Sequence, residues 1–430
     1  LQVLKHGGLV RPHRLGAGGG VSGVSSTPFS SNWFMRLTSA GVMEPDLSGC
    51  IGSGGMASVY GISVDSDNPQ RFVADKNGQY AHKVIEIIKQ GITQVNEENT
   101  FGLINFESDK NKVTIEKSDF CLNEHDNDIL KRSLYEGEVL SVLNGNRNTV
   151  DYLGSEFVLA PGEFSTKSGE MGRTLYNVLK MNKVSGENLR YAKKFLSPRM
   201  ASLTIAHVAE ALHDAHEKGV IHRDVTSGNV MVNPLYDDIT TTLIDFGAST
   251  FADYNIDKEN SVIGTAKYFS PEHVHQNIVY GMDIFSLGLL AFEVFTLQMV
   301  FPEIKDPIEC AIKMLKYKND KGRGEIMDNL KKLSKNRGIE LPSELLEAIE
   351  VALDDDHNKR SLTLLHKEAL KFATGIQETE ELPNILQERD NVSFDKFYKQ
   401  NSEEKPSEHA PSDTYIHTTD FMKDLEHLDL

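Results

Sequence analysis

The residues with the clearest chemical potential lie mid-chain, in the run His222-Arg223-Asp224-Val225-Thr226-Ser227-Gly228-Asn229. An aspartate in such a polar loop can accept a proton from a hydroxyl group. The asparagine that ends the run can offer its side-chain oxygen to a hard cation. A second run, Leu243-Ile244-Asp245-Phe246-Gly247, supplies another oxygen ligand at a predicted strand end. Asp245 and Asn229 together suit Mg²⁺, which takes one or two carboxylates and completes its shell with phosphate oxygens and water.

Three features nearer the N terminus could handle phosphate groups. Gly52 and Gly54 form a turn in which backbone N–H groups can approach phosphate oxygens, because no Cβ intervenes. Lys83 lies on the apolar run Tyr80–Ile85 and could place a cation on those phosphates. Glu136, on the helical pattern that follows, could hold Lys83 by an ion pair. Taken singly, these features are more typical of an ordinary turn, a solvated edge lysine and an exposed helix acid.

Hydrophobic periodicity predicts the elements that must position these residues. Apolar residues recur at helical spacing from Ile129 to Leu143 and from Met200 to Lys218, where Gly219 gives a C-cap signal. Beyond residue 282 the patterns are helical. The predicted strands come earlier, on both sides of the glycine turn, at Tyr80–Ile85, at 220–221 and at 243–244. Strands first and helices later predict an α+β fold with two lobes.

Composition excludes several classes of protein. Lys+Arg total 45 against 63 Asp+Glu, and the net charge of −18 argues against general binding to nucleic acid or to an anionic membrane. Cys50, Cys121 and Cys310 lack metal-ligand spacing and cannot all pair, which favours a reducing, cytoplasmic setting. No apolar run reaches the roughly 20 residues of a membrane span. The longest candidate, Ile284–Phe301, is interrupted by Glu293 and is predicted to be a buried helix.

Charge also divides the chain into three parts. Residues 1–43 carry four bases and no acid, with glycine- and serine-rich stretches, so 1–45 is predicted to be a flexible extension. Residues 376–430 carry 14 acids and 5 bases and are predicted to be an acidic tail. The folded domain is predicted to occupy 46–375.

Both ends have a targeting alternative. An acid-free start with arginine and serine is compatible with a transit peptide. The acidic tail is compatible with a secretion signal of a bacterial effector delivered into a host cell. A plain extension and a solvated tail are the simpler interpretations of these segments.

Taken together, the central runs resemble the protein kinase superfamily. His222–Asn229 is similar to its catalytic loop, and Asp245-Phe246-Gly247 to its metal-binding triplet. Ser270-Pro271-Glu272 resembles the end of its activation segment, and Arg360 falls where the family keeps an arginine that pairs with this glutamate. Asp283 opens a run similar to the buried helix whose aspartate braces the catalytic loop.

The N-terminal motifs extend the resemblance. Gly52-x-Gly54-x-x-Ala57-x-Val59 looks like the Gly-rich loop, with Ala57 in place of the third glycine. Ala81-His82-Lys83 is similar to the strand lysine motif, and Glu136 to its helix partner. Gly54–Tyr60 and Val262–Tyr268 in particular look like bacterial Ser/Thr kinases of the Hanks type.

The resemblance implies a bilobal α+β fold. It consists of a small, mostly antiparallel N-lobe with one key helix, here 46–184, and a larger helical C-lobe, here 185–375. The implied activity is transfer of the ATP γ-phosphoryl group to a protein hydroxyl. The implied partners are ATP and a protein substrate, without nucleic acid or a membrane span.

The resemblance also assigns roles. Asp224 would receive the substrate proton, and Asn229 and Asp245 would hold Mg²⁺, with Mn²⁺ as an alternative. Lys83 would hold the α- and β-phosphates, oriented by Glu136. The implied nucleotide-binding residues are Gly52, Ser53, Gly54, Gly55, Met56, Ala57, Ser58, Val59, Ala81, Lys83, Glu136, Met181, Asn182 and Val184.

The last three of these come from the run Leu179–Gly186, which resembles the hinge of the family. Met181 would be the gatekeeper, and backbone groups of Asn182 and Val184 would face the adenine. Asn182 stands where a glutamate usually follows the gatekeeper.

The sequence departs from the family pattern in the catalytic loop. Ser/Thr kinases usually place a lysine two residues after the catalytic aspartate, where it touches the γ-phosphate, and here that residue is Thr226. Tyrosine kinases also lack this lysine, but they use an alanine and a compensating arginine that this loop does not contain. Gly264-Thr265-Ala266-Lys267-Tyr268 still resembles the Ser/Thr-type substrate loop, so Ser/Thr specificity with reduced turnover is expected.

Two stretches lengthen the N-lobe. Lys83 and Glu136 are much further apart in sequence than a short connection needs, so Gln90–Glu124 is predicted to be an insertion, either a small hairpin or a regulatory or partner surface. Glu138 is the alternative partner of Lys83 if the helix register differs. Pro161–Gly172 is predicted to lengthen a second loop.

Regulation is predicted from Arg223, because an arginine before the catalytic aspartate typically binds a phosphate on the activation segment. Autophosphorylation is therefore expected at Ser249, Thr250 or Ser261. Two other functions remain open: a nucleotide-binding pseudokinase or scaffold, suggested by Thr226 and Ala57, and a small-molecule kinase.

Overall fold

The computed structural model describes residues 30–36, 38–39, 50–53, 57–64, 72–74, 79–88, 101–107, 112–116, 124–165, 171–235, 238–252, 261–275, 278–304, 306–316, 320–375 and 416–417. They form two compact units. The first comprises Leu1–Val142, Asp151–Lys183 and Asp253–Asn255, and the second comprises Leu143–Val150, Val184–Ala252 and Ile256–Leu430. The mixed α+β class predicted from the sequence is confirmed.

The first unit contains mainly strands. Its elements are β1 (Ser30–Arg36), β2 (Thr38–Ser39), β3 (Cys50–Ser53), β4 (Ala57–Tyr60), β5 (Ile62–Val64), β6 (Phe72–Ala74), β7 (Tyr80–Ile88), β8 (Phe101–Glu107), β9 (Lys112–Glu116), α1 (Glu124–Leu143), β10 (Tyr152–Ser165) and β11 (Met171–Asn182). The main sheet has the order β2-β10-β11-β7-β4-β3. All its pairs are antiparallel except β10 with β2. Lys83 lies on the central strand β7, opposite Leu179 on one side and Val59 on the other.

The predicted insertion contains a hairpin, β8 and β9, that builds a separate three-stranded sheet with β1. Strand β1 lies inside the predicted flexible extension, where Trp33-Phe34-Met35 pairs with Gly102-Leu103-Ile104.

The prediction of a longer loop at Pro161–Gly172 also needs correction. Strands β10 and β11 continue through most of it, up to a Ser165↔Met171 pair beyond an irregularity after Pro161.

The second unit is dominated by helices. Its elements are β12 (Glu187–Asn188), α2 (Leu189–Ala192), α3 (Pro198–Glu217), β13 (Val220–Ile221), β14 (Val230–Leu235), β15 (Asp238–Leu243), β16 (Thr250–Phe251), β17 (Ser261–Val262), α4 (Pro271–His275), α5 (Gly281–Thr296), α6 (Pro307–Lys316), α7 (Asp320–Asn336), α8 (Ser343–Ala352), α9 (Leu362–Thr374) and β18 (Ile416–His417). Helix α5 is buried along its whole length, as its apolar composition predicts. Strand β18, inside the predicted acidic tail, pairs with β17.

Helix ends in this unit follow the expected capping chemistry. The Ser197 side chain accepts a hydrogen bond from the N–H of Met200 and starts α3, with Pro198 in the first turn. Ser361 caps the start of α9 in the same way, and Gly375, whose φ of 67° is left-handed, caps its end. Within the described ranges, none of the helices is both long and apolar enough to cross a bilayer.

Candidate active site

The first unit brings Lys83 and Glu136 together. The Lys83 Nζ lies 2.7 Å from Oε1 of Glu136, and the two side chains are only 12% and 4% exposed. Lys83 is therefore paired with Glu136, the partner expected from the sequence. A buried ion pair of this geometry fixes the ammonium group in one place, because each charge depends on the other for compensation.

Helix α1 is positioned for this contact by its packing and by one buried hydrogen bond. Its apolar face, including Leu130 and Leu134, is fully buried. One turn before Glu136, the Ser133 hydroxyl accepts a hydrogen bond of 3.0 Å from the amide of Asn177 on β11. The sheet that carries Lys83 thus also holds the helix that carries its partner.

The predicted glycine turn is described only at its borders. Gly52 and Ser53 on β3 pair with Val59 and Ser58 on β4. Gly54, Gly55 and Met56 lie outside the described residues. Two further predicted nucleotide contacts are on the strands themselves: Ala57 stands opposite Ile85, and Ala81 is buried.

The predicted hinge residues have defined backbone partners. Met181 is buried, whereas Asn182 is exposed and Val184 is half-buried. The N–H of Asn182 donates to the carbonyl of Asp151 at 2.9 Å, and its side-chain amide donates to the carboxylate of the same residue at 3.2 Å.

In the second unit, Asp224 is held at both carboxylate oxygens. The backbone N–H of Thr265 donates to Oδ1 at 2.8 Å, and the amide of Asn229 donates to Oδ2 at 2.8 Å. The same amide also donates to the carbonyl of Asp224 at 2.9 Å. Burial, and secondarily the charge of Asp245, raise the pKa of Asp224 above its ordinary value, against the opposing effect of Thr265 and His222. The result is a fixed carboxylate that is more basic than an exposed aspartate.

A hairpin register places Asn229 next to the segment that carries Asp245. Strands β14 and β15 pair from Val230 opposite Leu243, so the residues just outside this pair are neighbours. The N–H of Ile244 donates to the carbonyl of Asn229 at 2.9 Å. Asn229 directs its amide nitrogen at Asp224, which leaves its side-chain oxygen for a cation.

Asp245 has a left-handed backbone, with φ of 62°, and an exposed side chain. This conformation is costly for a residue other than glycine and persists only where the surroundings enforce it. An amide oxygen and an exposed carboxylate are the donors that Mg²⁺ prefers, so the residues present fit such an ion.

The loop His222–Asn229, which resembles a catalytic loop, is braced by Asp283 at the start of α5. Its carboxylate, fully buried, accepts hydrogen bonds of 2.8 Å from the backbone N–H groups of both His222 and Arg223. The ring Nε2 of His216 donates to it at 2.9 Å. Burial alone would raise the pKa of Asp283, but these hydrogen bonds and the nearby rings hold it below its ordinary value. The bracing role expected for this aspartate is present in the geometry.

The end of the activation segment is anchored by Glu272 and His273. Glu272 forms a bidentate pair with Arg360, at 2.9 and 3.0 Å. Burial works to raise the pKa of Glu272, but the guanidinium group lowers it below its ordinary value. His273 donates from Nε2 to the carbonyl of Arg223 at 3.0 Å and accepts at Nδ1 from the N–H of Ser270. The segment therefore ends against the catalytic loop.

The predicted phosphate-accepting residues occupy different environments. The hydroxyl of Ser249 is buried and donates to the carbonyl of His222 at 3.3 Å, and Thr250 is buried in the β13–β16 pair. Arg223, buried with a φ of 65°, donates from Nε to the carbonyl of Ala248 at 2.5 Å. Ser261 lies on β17, and only its backbone is described.

A buried polar network that sequence reasoning missed connects the catalytic loop to α5. The hydroxyl of Ser227 lies 3.0 Å from the phenol oxygen of Tyr268 and donates to Glu293 at 3.0 Å. Tyr268 and Lys193 also hydrogen-bond to Glu293. In the sequence, Glu293 stands out only as an interruption of an apolar run. A carboxylate in the middle of a buried helix is itself a signal for such a network, because it needs partners.

Comparison with known proteins covers part of this arrangement. Residues 166–371 match the model of the protein kinase domain, a range that includes the catalytic loop, Asp245 and Arg360 but not Lys83 or Glu136. A probable serine/threonine-protein kinase of Clostridium perfringens is 30% identical over 190 residues, which are 43% of this chain and 24% of that protein. The serine/threonine-protein kinase PknB of Mycobacterium tuberculosis is 33% identical over 142 residues, or 31% of this chain and 21% of PknB. The chain thus spans about a quarter of the length of these relatives.

Proposed function

Because this chain carries a protein kinase domain of the bacterial Hanks type, we propose that it transfers the γ-phosphoryl group of ATP to serine or threonine hydroxyls of a protein substrate. The observation that carries the proposal is the fixed position of Asp224, whose two carboxylate oxygens accept hydrogen bonds from Thr265 and Asn229. A general base needs this kind of restraint, because proton transfer depends on distance and direction.

The remaining residues take roles that follow from their chemistry. Lys83, oriented by Glu136, binds the α- and β-phosphates, and Asn229 and Asp245 hold the metal ion. A bound Mg²⁺ or Mn²⁺ supplies neutralisation of the phosphate charge. Asp224 accepts the proton of the attacking hydroxyl, for which its raised pKa is favourable. The adenine is bound by backbone groups of Asn182 and Val184 beside Met181.

A pseudokinase is the second candidate, favoured by Thr226 and Ala57. The contacts within each unit argue against a pseudokinase. Lys83 is paired with Glu136, and the carboxylate of Asp224 accepts hydrogen bonds from Thr265 and Asn229. A small-molecule kinase is disfavoured by the anchored end of the activation segment, where Glu272 binds Arg360.

Regulation by autophosphorylation is part of the proposal, with Ser261 as the preferred site. Ser249 and Thr250 are buried, so their modification would require the segment to open. The β1-β8-β9 sheet, which includes the hairpin of the 90–124 insertion, is the surface we propose for a regulatory partner. We also infer a reducing cytoplasmic setting from the cysteines, of which Cys310 is a buried free thiol.

The proposal is tested by transfer from γ-labelled ATP with Mg²⁺, to the protein itself and to a generic protein substrate. Asp224→Asn should abolish label on serine and threonine, whereas the matched control Asp214→Asn, on α3, should keep wild-type transfer. No transfer by the wild type, despite measurable ATP binding, would favour the pseudokinase. Equal labelling by Asp224→Asn and wild type would show that Asp224 is not the base.

A further inference from the structure

A strand from the C-terminal tail pairs with the activation segment. In β17 and β18, Ser261 stands opposite His417 and Val262 stands opposite Ile416, in antiparallel register. Among the described residues these two strands form a sheet of their own, so β18 is the only strand partner that β17 has there. The edge of β17 therefore accepts an extended segment from another part of the chain, which is the contact made in β-strand addition.

The sequence around β18 is suited to this contact. The run Thr414-Tyr415-Ile416-His417-Thr418-Thr419 contains threonines, a tyrosine, an isoleucine and a histidine, and it carries no acid. β-Branched and aromatic residues of this kind favour strands. The run lies between Asp413 and Asp420, inside a tail that is otherwise rich in acids. The strand signal is thus local to the residues that pair with β17.

Strand β17 lies immediately before the residues that touch Asp224. The segment continues from Val262 to Gly264, whose φ of 122° is left-handed. A Cβ built on Gly264 would lie 2.8 Å from the carbonyl oxygen of Arg223 and 3.6 Å from Oδ1 of Asp224. The next residue, Thr265, donates its N–H to the same carboxylate oxygen at 2.8 Å. Because one residue spans at most about 3.6 Å of chain, β17 ends within about 11 Å of Thr265.

A protein substrate has to use the same part of the second unit. Its hydroxyl must come within hydrogen-bond distance of Asp224, because that carboxylate accepts the proton in the proposed reaction. A paired strand lies only about 4.8 Å from its neighbour, so β18 runs close beside the segment that leads to Asp224. The docked tail and the backbone of a substrate therefore compete for one space.

We propose that the edge of β17 is a docking site for extended segments, that Ile416–His417 of the chain's own tail occupies it, and that the docked tail excludes the protein substrate. This inference rests on the proposed kinase activity and adds a means of regulating it. The contact spans two residue pairs and is weak by itself, but it forms within one chain and so benefits from a high effective concentration. A tail held in this way covers the site at rest and can still be displaced.

The test uses the full chain with a proline pair in the tail strand, Ile416→Pro together with His417→Pro. Successive residues of a strand turn their N–H groups to opposite edges, so one of these two N–H groups faces β17 and is removed. We expect kcat/KM for a protein substrate to rise by about tenfold, through a lower KM for that substrate, with the KM for ATP unchanged. The matched control Asn401→Pro, elsewhere in the tail, should behave as the wild type does.

Adding the tail strand back as a separate molecule tests the competition directly. A synthetic peptide with the sequence of residues 411–421, added to the proline variant, should restore inhibition in competition with the protein substrate and not with ATP. A peptide of the same composition in scrambled order should not inhibit. The inference is overturned if the proline variant keeps the wild-type KM for the protein substrate, or if the peptide competes with ATP.

Hydrogen exchange separates this inference from the proposed function. In the wild type, the amide of Ser261–Val262 that faces β18 should exchange slowly, and the proline pair should raise its exchange rate by at least about tenfold. Equal exchange in both proteins would overturn the docking of the tail, whatever the activity. Absence of phosphate transfer by both the wild type and the proline variant would instead overturn the proposed function itself.

Discussion

Arg360 and Glu272 are 88 positions apart in the sequence and form a bidentate ion pair whose side chains are 0% and 8% exposed. The same guanidinium group donates to the carbonyls of Asp354 and Gly281. The pair therefore joins the end of the activation segment, the start of α5 and the segment before α9 within the second unit.

Breaking this pair should destabilise the protein strongly. Arg360→Met leaves a buried carboxylate without compensation, so we expect the free energy of unfolding to fall by about 3 kcal/mol or more. The double variant Arg360→Met, Glu272→Met should lose no more than the single one, because both charges are then gone. Chemical denaturation measures both, and Lys313→Met, from an exposed pair with Glu303, serves as control with an expected change below about 1 kcal/mol. Additive losses would contradict a coupled pair.

The ion pair between Lys83 and Glu136 leads to a prediction about kcat/KM. Glu136→Gln keeps the shape of the side chain but removes its charge, so the ammonium group loses its restraint. We expect kcat/KM to fall by at least about tenfold, with a larger loss for Lys83→Met. Glu138→Gln is the matched control, since it removes a carboxylate from the same helix two residues further on. Similar losses for both glutamine variants would show that the effect is not specific to the pair.

The raised pKa of Asp224 predicts the acid side of the pH–rate profile. Only the deprotonated carboxylate can accept a proton, so kcat/KM should fall as the pH drops through the pKa of Asp224. Because burial and the charge of Asp245 raise that pKa, the fall should begin at a higher pH than for an exposed aspartate. A carbon-detected NMR titration of the free protein checks the assignment, since Asp245→Asn should lower the pKa of Asp224. An unchanged titration in that variant would show that the charge of Asp245 does not raise this pKa.

The lowered pKa of His273 predicts how the stability of the protein depends on pH. Burial lowers its pKa from 6.5 to about 4, so protonation favours the unfolded state. The stability that this residue contributes is complete above pH 6.5 and is lost as the pH falls towards 4, by as much as about 3 kcal/mol. His273→Gln offers the same donor and acceptor without titrating, so its loss between pH 7 and pH 4 should be smaller. Denaturant midpoints at several pH values compare the two proteins, and parallel curves would exclude this contribution.

The parts predicted from sequence are those whose geometry is set over short distances. Asp224 and Asn229 lie in one loop, so the side chain of one reaches the other without help from the fold. The family resemblance selects Glu136, with Glu138 as the alternative, and the ion pair with Lys83 agrees. Long-range partners are predicted only where the family resemblance supplies them, as for Arg360 and Glu272.

The parts that sequence reasoning misses depend on contacts between segments far apart in the sequence. Arg190 reaches Gly228 only because β12 pairs with β14, and no local pattern encodes that pairing. The composition around Ser30–Arg36 predicts a flexible extension. The strand that forms there is not predicted, because its partner, β8, lies in a separate insertion. The pairing register between distant strands depends on which faces of the folded sheet are buried. It therefore cannot be predicted from the sequence of either strand alone.

The contacts of Asp283 determine how the catalytic loop responds to heat and to isotope exchange. Since this carboxylate holds the N–H groups of His222 and Arg223 from inside the buried helix α5, those amides form a cooperative unit with the core. Their hydrogens should exchange with deuterium as slowly as the slowest amides of α5. On heating, the loop should keep its shape until the second unit melts, so activity and tertiary structure should disappear together rather than in sequence.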